Sequence, residues 1–338
     1  MNRLSFLLVA AVCAFSGCTS KGSGGGTKTS SKTPSVDPRN IPYEDKFDKY
    51  NEFYGEFDYD LRTLDGDDLK LEMHKYFIEA HKTYITYDNY WYYANTASDK
   101  IPGTNTNELF YTAQTSPSNT HENQDREHVW PCAASNGLWR RYNAATPIAD
   151  EHNIDKTGTF KYWGAGSDLF HVRPATSRVN QQRSDAAFYE FSSAERSSAI
   201  KLSDGGPYSC YVNSAKNKFE VDDHFKGDVA RIIMYLWVHY TAMGEFNVYY
   251  SPEHTPVYTL DEAINEEGHS PNVCGQLSLR NVLAYDDEVS CHNKLVEWNR
   301  LDPPSQVELN RNNYVQSVQG NRNPFIDYPQ LVEKILFR

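Results

Sequence analysis

The sequence predicts one α+β domain preceded by an export segment and a tether. Three observations predict it. Helical apolar patterns occur on both sides of a central region of short strand-like runs. Neither an internal repeat nor a composition break occurs after residue 40. The first 40 residues differ in composition from all that follow. The chain has 338 residues, enough to bury a sizeable core.

Asn2 and Arg3 give a short positive start, and residues 4–15 are apolar apart from Ser5. A run of about a dozen apolar residues is too short to cross a bilayer and fits the core of a signal peptide. Ser16 and Gly17 directly before Cys18 resemble a bacterial lipobox. Residues 1–17 are therefore expected to be a lipoprotein signal peptide, with lipid on Cys18 holding the mature chain to a membrane facing the periplasm or cell surface. Phe15 stands where such signals usually carry Leu, so plain secretion is the alternative. Residues 18–40 are rich in Ser, Gly, Thr and Lys and read as a flexible tether. Residues 41–338 form the domain.

Cys132, Cys210, Cys274 and Cys291 remain in that domain. In an exported chain they allow up to two disulfides. Cys274 and Cys291 are nearest in sequence, and a bridge there would contribute about 3 kcal/mol. Zinc is the competing reading, but the chain offers neither a Cys-x-x-Cys pair nor a His-x-x-x-His pair.

The elements follow in order. Asp67 and Asp68 precede Leu69, Leu71, Met73, Phe77 and Ile78, a helical pattern with acids at its positive end. Residues 95–124 read as surface loop with one strand-like island at 109–111. Residues 125–131 and 168–174 read as two short strands, each closed by a proline, and 178–183 as a short helix capped from 175–177. Val229, Ile232, Ile233, Leu236, Trp237 and Tyr240 mark a helix over about 223–243. Leu295, Val296 and Trp298 form an apolar cluster. Beyond Pro303 and Pro304, Val307, Tyr314, Val315 and Val318 give a last helix stopped by Gly320. His74 and His239 lie inside helical patterns and read as core residues. The aromatic run 87–93 reads as packing surface.

Residues 125–188 carry the chemistry. Hydrolysis of a phosphodiester needs a base for water, and an imidazole suits that task near neutral pH. The transition state gathers negative charge that a divalent cation neutralises, and hard oxygens such as a Glu carboxylate and an Asn carbonyl hold such a cation. Arg side chains fork onto phosphate oxygens. His128, Glu127, Asn180, Arg173 and Arg183 supply these parts. The net charge of −12 weighs against a tight sequence-specific nucleic-acid binder more than against a hydrolase, which need be basic only along its cleft.

Arg126-Glu127-His128-Val129-Trp130-Pro131, Asp168-Leu169-Phe170-His171-Val172-Arg173-Pro174 and Val179-Asn180-Gln181-Gln182-Arg183 together resemble the bacterial endonuclease I family. Later segments at 226–231 and 319–327 are similar too. The resemblance implies a ββα-metal (His-Me finger) core surrounded by helices in a catalytic domain over 41–338. It implies a non-specific endonuclease acting on DNA, with RNA as a second substrate, and leaving 5′-phosphate ends. By the same resemblance His128 is the general base, and Glu127 and Asn180 hold Mg²⁺, with Ca²⁺ or Mn²⁺ as alternatives. Arg173 and Arg183 are the phosphate contacts and His171 orients its neighbours. A monomer is expected. Many members carry His where this chain has Phe170, which is expected on the packed side. The rival reading is a non-catalytic surface lipoprotein, an adhesin or nucleic-acid receptor on the same fold.

One tension is physical. Neighbours on a regular strand face opposite sides, so Glu127 and His128 can share a site only where the strand ends, twists or bulges.

Overall fold

The computed structural model describes residues 51–337, apart from 136–163, 242–248, 251–255, 258–271, 274–276 and positions 84, 86, 88, 102 and 121. The expected signal peptide, tether and Cys18 lie outside the described residues, as does Gly244.

The core forms around helices whose apolar faces follow from the sequence. Helix α1 (Gly66–Ala80) carries Asp67 and Asp68 in its first turn and buries Leu69, Met73, Phe77 and Ile78. Helix α3 (Lys226–Tyr240) is buried almost all round, as expected of a helix at the centre of a domain. It packs against α1 on one side and α4 (Glu288–Leu301) on another. Helix α5 (Gln306–Gln319) opens with a capping box between Ser305 and Glu308 and ends at Gly320, with φ of 95°. Its last carbonyl, on Gln319, accepts from Lys82 N at 2.8 Å, which joins the ends of α5 and α1. The terminal helix α6 (Leu331–Phe337) also packs on α1.

Between α1 and α3 in sequence lie most of the described strands; three two-residue strands, Tyr249–Tyr250, Pro256–Val257 and Asn272–Val273, pair antiparallel after α3. β1 (Thr106–Leu109) and β2 (Gln114–Pro117) pair as an antiparallel hairpin. The sequence predicts surface loop here, with a strand-like island only at 109–111. The hairpin strands are polar and half-exposed, so alternation of hydrophobic residues cannot reveal them. β3 (Gln124–His128) and β4 (Val172–Thr176) form an antiparallel pair followed at once by helix α2 (Ser177–Arg183). A four-stranded sheet, order β5-β8-β7-β6, combines β5 (Ala187–Phe188), β6 (Ile200–Leu202), β7 (Cys210–Val212) and β8 (Lys218–Glu220). These strands of two or three residues are too short for any periodic signal. The result is a mixed α+β architecture.

Two further expectations change. Cys210 and Cys291 are buried thiols rather than bridged, and Cys274 lies outside the described residues. The second strand begins at Val172, because 168–171 form a turn, and it runs through Pro174 rather than closing there. The Pro174 carbonyl accepts from Phe110 N at 2.7 Å. Its backbone edge therefore faces β1, and the missing N–H costs β3 nothing.

Two predictions follow from packing. A Cβ at Gly320 would sit 2.4 Å from the Ala80 carbonyl oxygen, at a φ unsuited to L side chains. Gly320→Ala should cost about 1–3 kcal/mol in a denaturant titration. The second concerns pH. Burial pushes His81 down from 6.5 to about 4, against the Asp168 carboxylate and the Thr83 carbonyl, which pull it up. The unfolded imidazole binds its proton at higher pH than the folded one. The stability contributed is thus complete above pH 6.5 and is lost as pH falls towards 4. His81→Gln should weaken that acid-limb loss of melting temperature, which corresponds to about 3 kcal/mol.

Candidate active site

The β3–β4–α2 unit gathers the residues singled out by sequence. Thr176 caps α2 by accepting from Val179 N, so helix and strand meet without a loop. Register pairs Glu127 with Arg173 and His128 with Val172.

Arg183, in the last turn of α2, is fully buried. Its Nη1 bonds the Glu127 carboxylate, and also the His128 carbonyl at 2.8 Å. Its Nη2 donates to the Val129 carbonyl at 2.6 Å. Consecutive carbonyls point opposite ways in a regular strand, so one guanidinium holding both marks a break in β3. The strand ends at His128. Up to that end the alternation holds: Glu127 turns to Arg183, whereas His128, still paired with Val172, shares the opposite face with Arg126, so strand termination does not by itself bring the two side chains together. Tyr111 donates its hydroxyl to the same Glu127 oxygen at 2.7 Å. Glu127 is 2% exposed. Burial raises its pKa, and Arg183 and Tyr111 oppose the rise.

His128 points elsewhere. Its Nε2 lies 2.7 Å from the Gly166 carbonyl. A carbonyl only accepts, so Nε2 carries the proton and Nδ1 the lone pair. Burial pushes its pKa down to about 4, the Gly166 bond works the other way, and the charges of Arg126 and Arg183 add to the fall. The ring is therefore neutral at pH 7. Behind it, His171 donates from Nδ1 to Ala165 O at 2.5 Å and accepts from Trp130 N at 3.0 Å on Nε2. It fixes the turn whose next carbonyl fixes His128, in keeping with an orienting role. Phe170 is buried against Tyr235, on the packed side.

Asn180 is one helical turn before Arg183, and its Nδ2 donates to Asp125 Oδ2 at 3.1 Å. Asp125 lies two residues before Glu127, hence on the same face of β3, and its charge is felt at Glu127. Sequence reasoning missed this carboxylate; the i, i+2 spacing along β3 was the signal that could have found it. The oxygens of Asp125, Glu127 and Asn180 are all hard donors, so the residues fit a hard divalent cation in chemistry. Asn180 and Asp125 are half-buried, whereas Glu127 is engaged with Arg183.

The two arginines expected on phosphate are placed inside. Arg173 is 4% exposed, donates to Asp99 Oδ1 at 3.0 Å, lies 3.7 Å from Asp228 and covers the Phe110 ring. Arg183 is spent on Glu127 and two carbonyls. Both hold the frame of the site, and neither reaches its surface.

Among the described residues, one further group of metal-ligating side chains gathers, His81, Asp168 and His239, all buried. Asp168 Oδ2 is 3.9 Å from His81 Nδ1 and 4.0 Å from His239 Nδ1. That oxygen already accepts hydroxyls from Tyr235 at 2.6 Å and Tyr240 at 2.8 Å. Oδ1 accepts from Phe170 N at 2.7 Å and Gln319 Nε2 at 3.2 Å. Protein donors thus saturate the carboxylate, and the cluster's effect is to fix the turn that leads into β4.

Comparison with known proteins assigns the class: this is a nuclease, a phosphodiester-hydrolysing enzyme. The chain belongs to the Endonuclease I family, whose model matches residues 61–258 and 282–330. It is similar to the extracellular ribonuclease of Bacillus subtilis (strain 168), at 27% identity over 275 residues, covering 80% of this chain and 74% of that protein. The extracellular ribonuclease of Bacillus amyloliquefaciens is similar at 26% identity, with the same coverage.

Removing the guanidinium should expose how much the unit depends on it. Arg183→Ala leaves Glu127 buried without its partner, and a loss of about 3–5 kcal/mol is expected in chemical denaturation. Arg183→Lys should recover little, because an ammonium lacks the fork that holds two carbonyls and a carboxylate.

Proposed function

We propose that the chain is an exported, metal-dependent endonuclease in which His128 is the general base of a ββα-metal site. The observation that carries this reading is the bond from His128 Nε2 to the Gly166 carbonyl, which leaves the Nδ1 lone pair to take a proton. The same strand end holds Glu127, and the following helix holds Asn180.

In this reading a water molecule attacks phosphorus and passes its proton to Nδ1 of His128. The bond from phosphorus to the 3′-oxygen breaks, leaving a 5′-phosphate and, once the departing oxygen is protonated, a 3′-hydroxyl. Glu127 and Asn180, with Asp125 beside them, are the residues that would hold the cation. Mg²⁺, Ca²⁺ or Mn²⁺ suits such oxygens and supplies neutralisation of charge at the phosphate. Arg183 keeps Glu127 and the His128 carbonyl in place, and Arg173 acts as a frame residue. Water as nucleophile makes no use of a 2′-hydroxyl, so DNA and RNA are both substrates on this chemistry. The two relatives named ribonucleases favour RNA as at least one of them.

Export rests on residues 1–18 and on the extracellular relatives. Among the described residues no helix is long and apolar enough to cross a membrane. A lipid on Cys18 would supply the anchor, and plain secretion is the alternative.

The test uses labelled DNA and RNA oligonucleotides with and without chelator. His128→Ala should lower kcat by about 10²–10⁴-fold, and chelator should stop cleavage of both polymers. Undiminished turnover in the variant would remove the base, and undiminished turnover in chelator would remove the cation. Cleavage confined to RNA with 2′,3′-cyclic ends would contradict the attack by water.

A further inference from the structure

His128 is held at a third place that the ββα unit does not supply. The ring of Tyr87 lies flat against the imidazole, with centroids 5.3 Å apart and planes within 10°. Tyr87 is itself fastened from β3. Arg126 places its guanidinium 3.6 Å from the Tyr87 ring centroid and donates from Nη1 to the Tyr87 carbonyl at 2.6 Å. The Tyr87 hydroxyl reaches the Arg126 carbonyl at 3.5 Å. Arg126 and His128 are two residues apart on β3 and share a face, so one aromatic ring serves both.

A hydrogen bond at Nε2 does not by itself stop an imidazole from rocking about the line joining its Cβ to that nitrogen. Nδ1 lies off that line, so rocking swings the atom that takes the proton. A flat ring packed on the imidazole face opposes this motion. We propose that Tyr87, clamped by Arg126, is a positioning residue that sets the orientation of His128 Nδ1 and thereby the turnover of this nuclease. The proposal rests on the reading of His128 as base. Misplacing a reacting group by about 1 Å is enough to cost about 10²-fold in rate.

The experiment is a kinetic comparison of the purified chain with its Tyr87→Ala, Tyr87→Leu and Tyr87→Phe variants on one oligonucleotide. Expected for Ala and Leu is a fall in kcat of about 10–100-fold with KM held within about twofold. Phe keeps the flat face and should restore most of the loss. Leu keeps apolar bulk, so it reports on the ring plane even if Ala fails to fold. A double variant gives the decisive reading, since a residue acting through His128 has no effect once the imidazole is gone. Tyr87→Ala should therefore leave the residual rate of His128→Ala protein unchanged. Full kcat in the Leu variant, a change in KM alone, or the same fractional loss on the His128→Ala background would each overturn the proposal. Full activity of His128→Ala itself would instead show that the base is misassigned.

Discussion

One buried guanidinium decides how the site is built. Arg183 closes helix α2 and holds, at once, the Glu127 carboxylate and the carbonyls of His128 and Val129. A regular strand could not offer those two carbonyls to the same group, so β3 must stop where it does. Up to that end Asp125 and Glu127 face Asn180 and Arg183, and Arg126 and His128 face Tyr87. The arrangement is costly to solvate incorrectly. A buried guanidinium without its carboxylate, or the reverse, leaves a charge in a poor dielectric, so the pair is present together or the unit fails.

A second chain of constraints reaches the imidazole from behind. Asp168 gathers two tyrosine hydroxyls, a backbone N–H and a glutamine amide, which sets the turn before β4. His171 in that turn ties Ala165 and Trp130 together, and the next carbonyl, on Gly166, defines the tautomer of His128. Further out, Asp99 lies between Arg173 and Arg311, and Arg311 from α5 also bonds the Leu169 and Val172 carbonyls. Arg231 meets Glu308 in the same buried manner. Such pairs add modest net stability, but each admits few geometries. They hold a small two-stranded unit rigid inside a helical domain.

This arrangement explains what could be read in the sequence. The residues of the β3–β4–α2 unit fall in two short, chemically distinctive runs, 124–128 and 172–183, so the unit and its candidate residues Glu127, His128 and Asn180 stand out in the sequence. Helix α1 is legible because it buries one apolar face, and α3 because its apolar residues recur at helical spacing although it is buried almost all round. The hairpin β1–β2 was hidden by polar strands, and β5 to β8 by their brevity. Sequence shows the charges of Arg173 and Arg183 without their partners, so both read as phosphate contacts. Asp99, far from Arg173 in sequence, and the carbonyls of 128 and 129 appear only when the chain is folded. Tyr87 reads as packing for the same reason, since nothing local links it to a histidine 41 residues later.

The chemistry at His128 turns on one proton. If Gly166 fixes the ring as described, nitrogen-15 NMR of the imidazole side chains near neutral pH should report His128 as neutral, protonated at Nε2 and bare at Nδ1. A His128 ring protonated at Nδ1, or on both nitrogens at pH 7, would contradict the account.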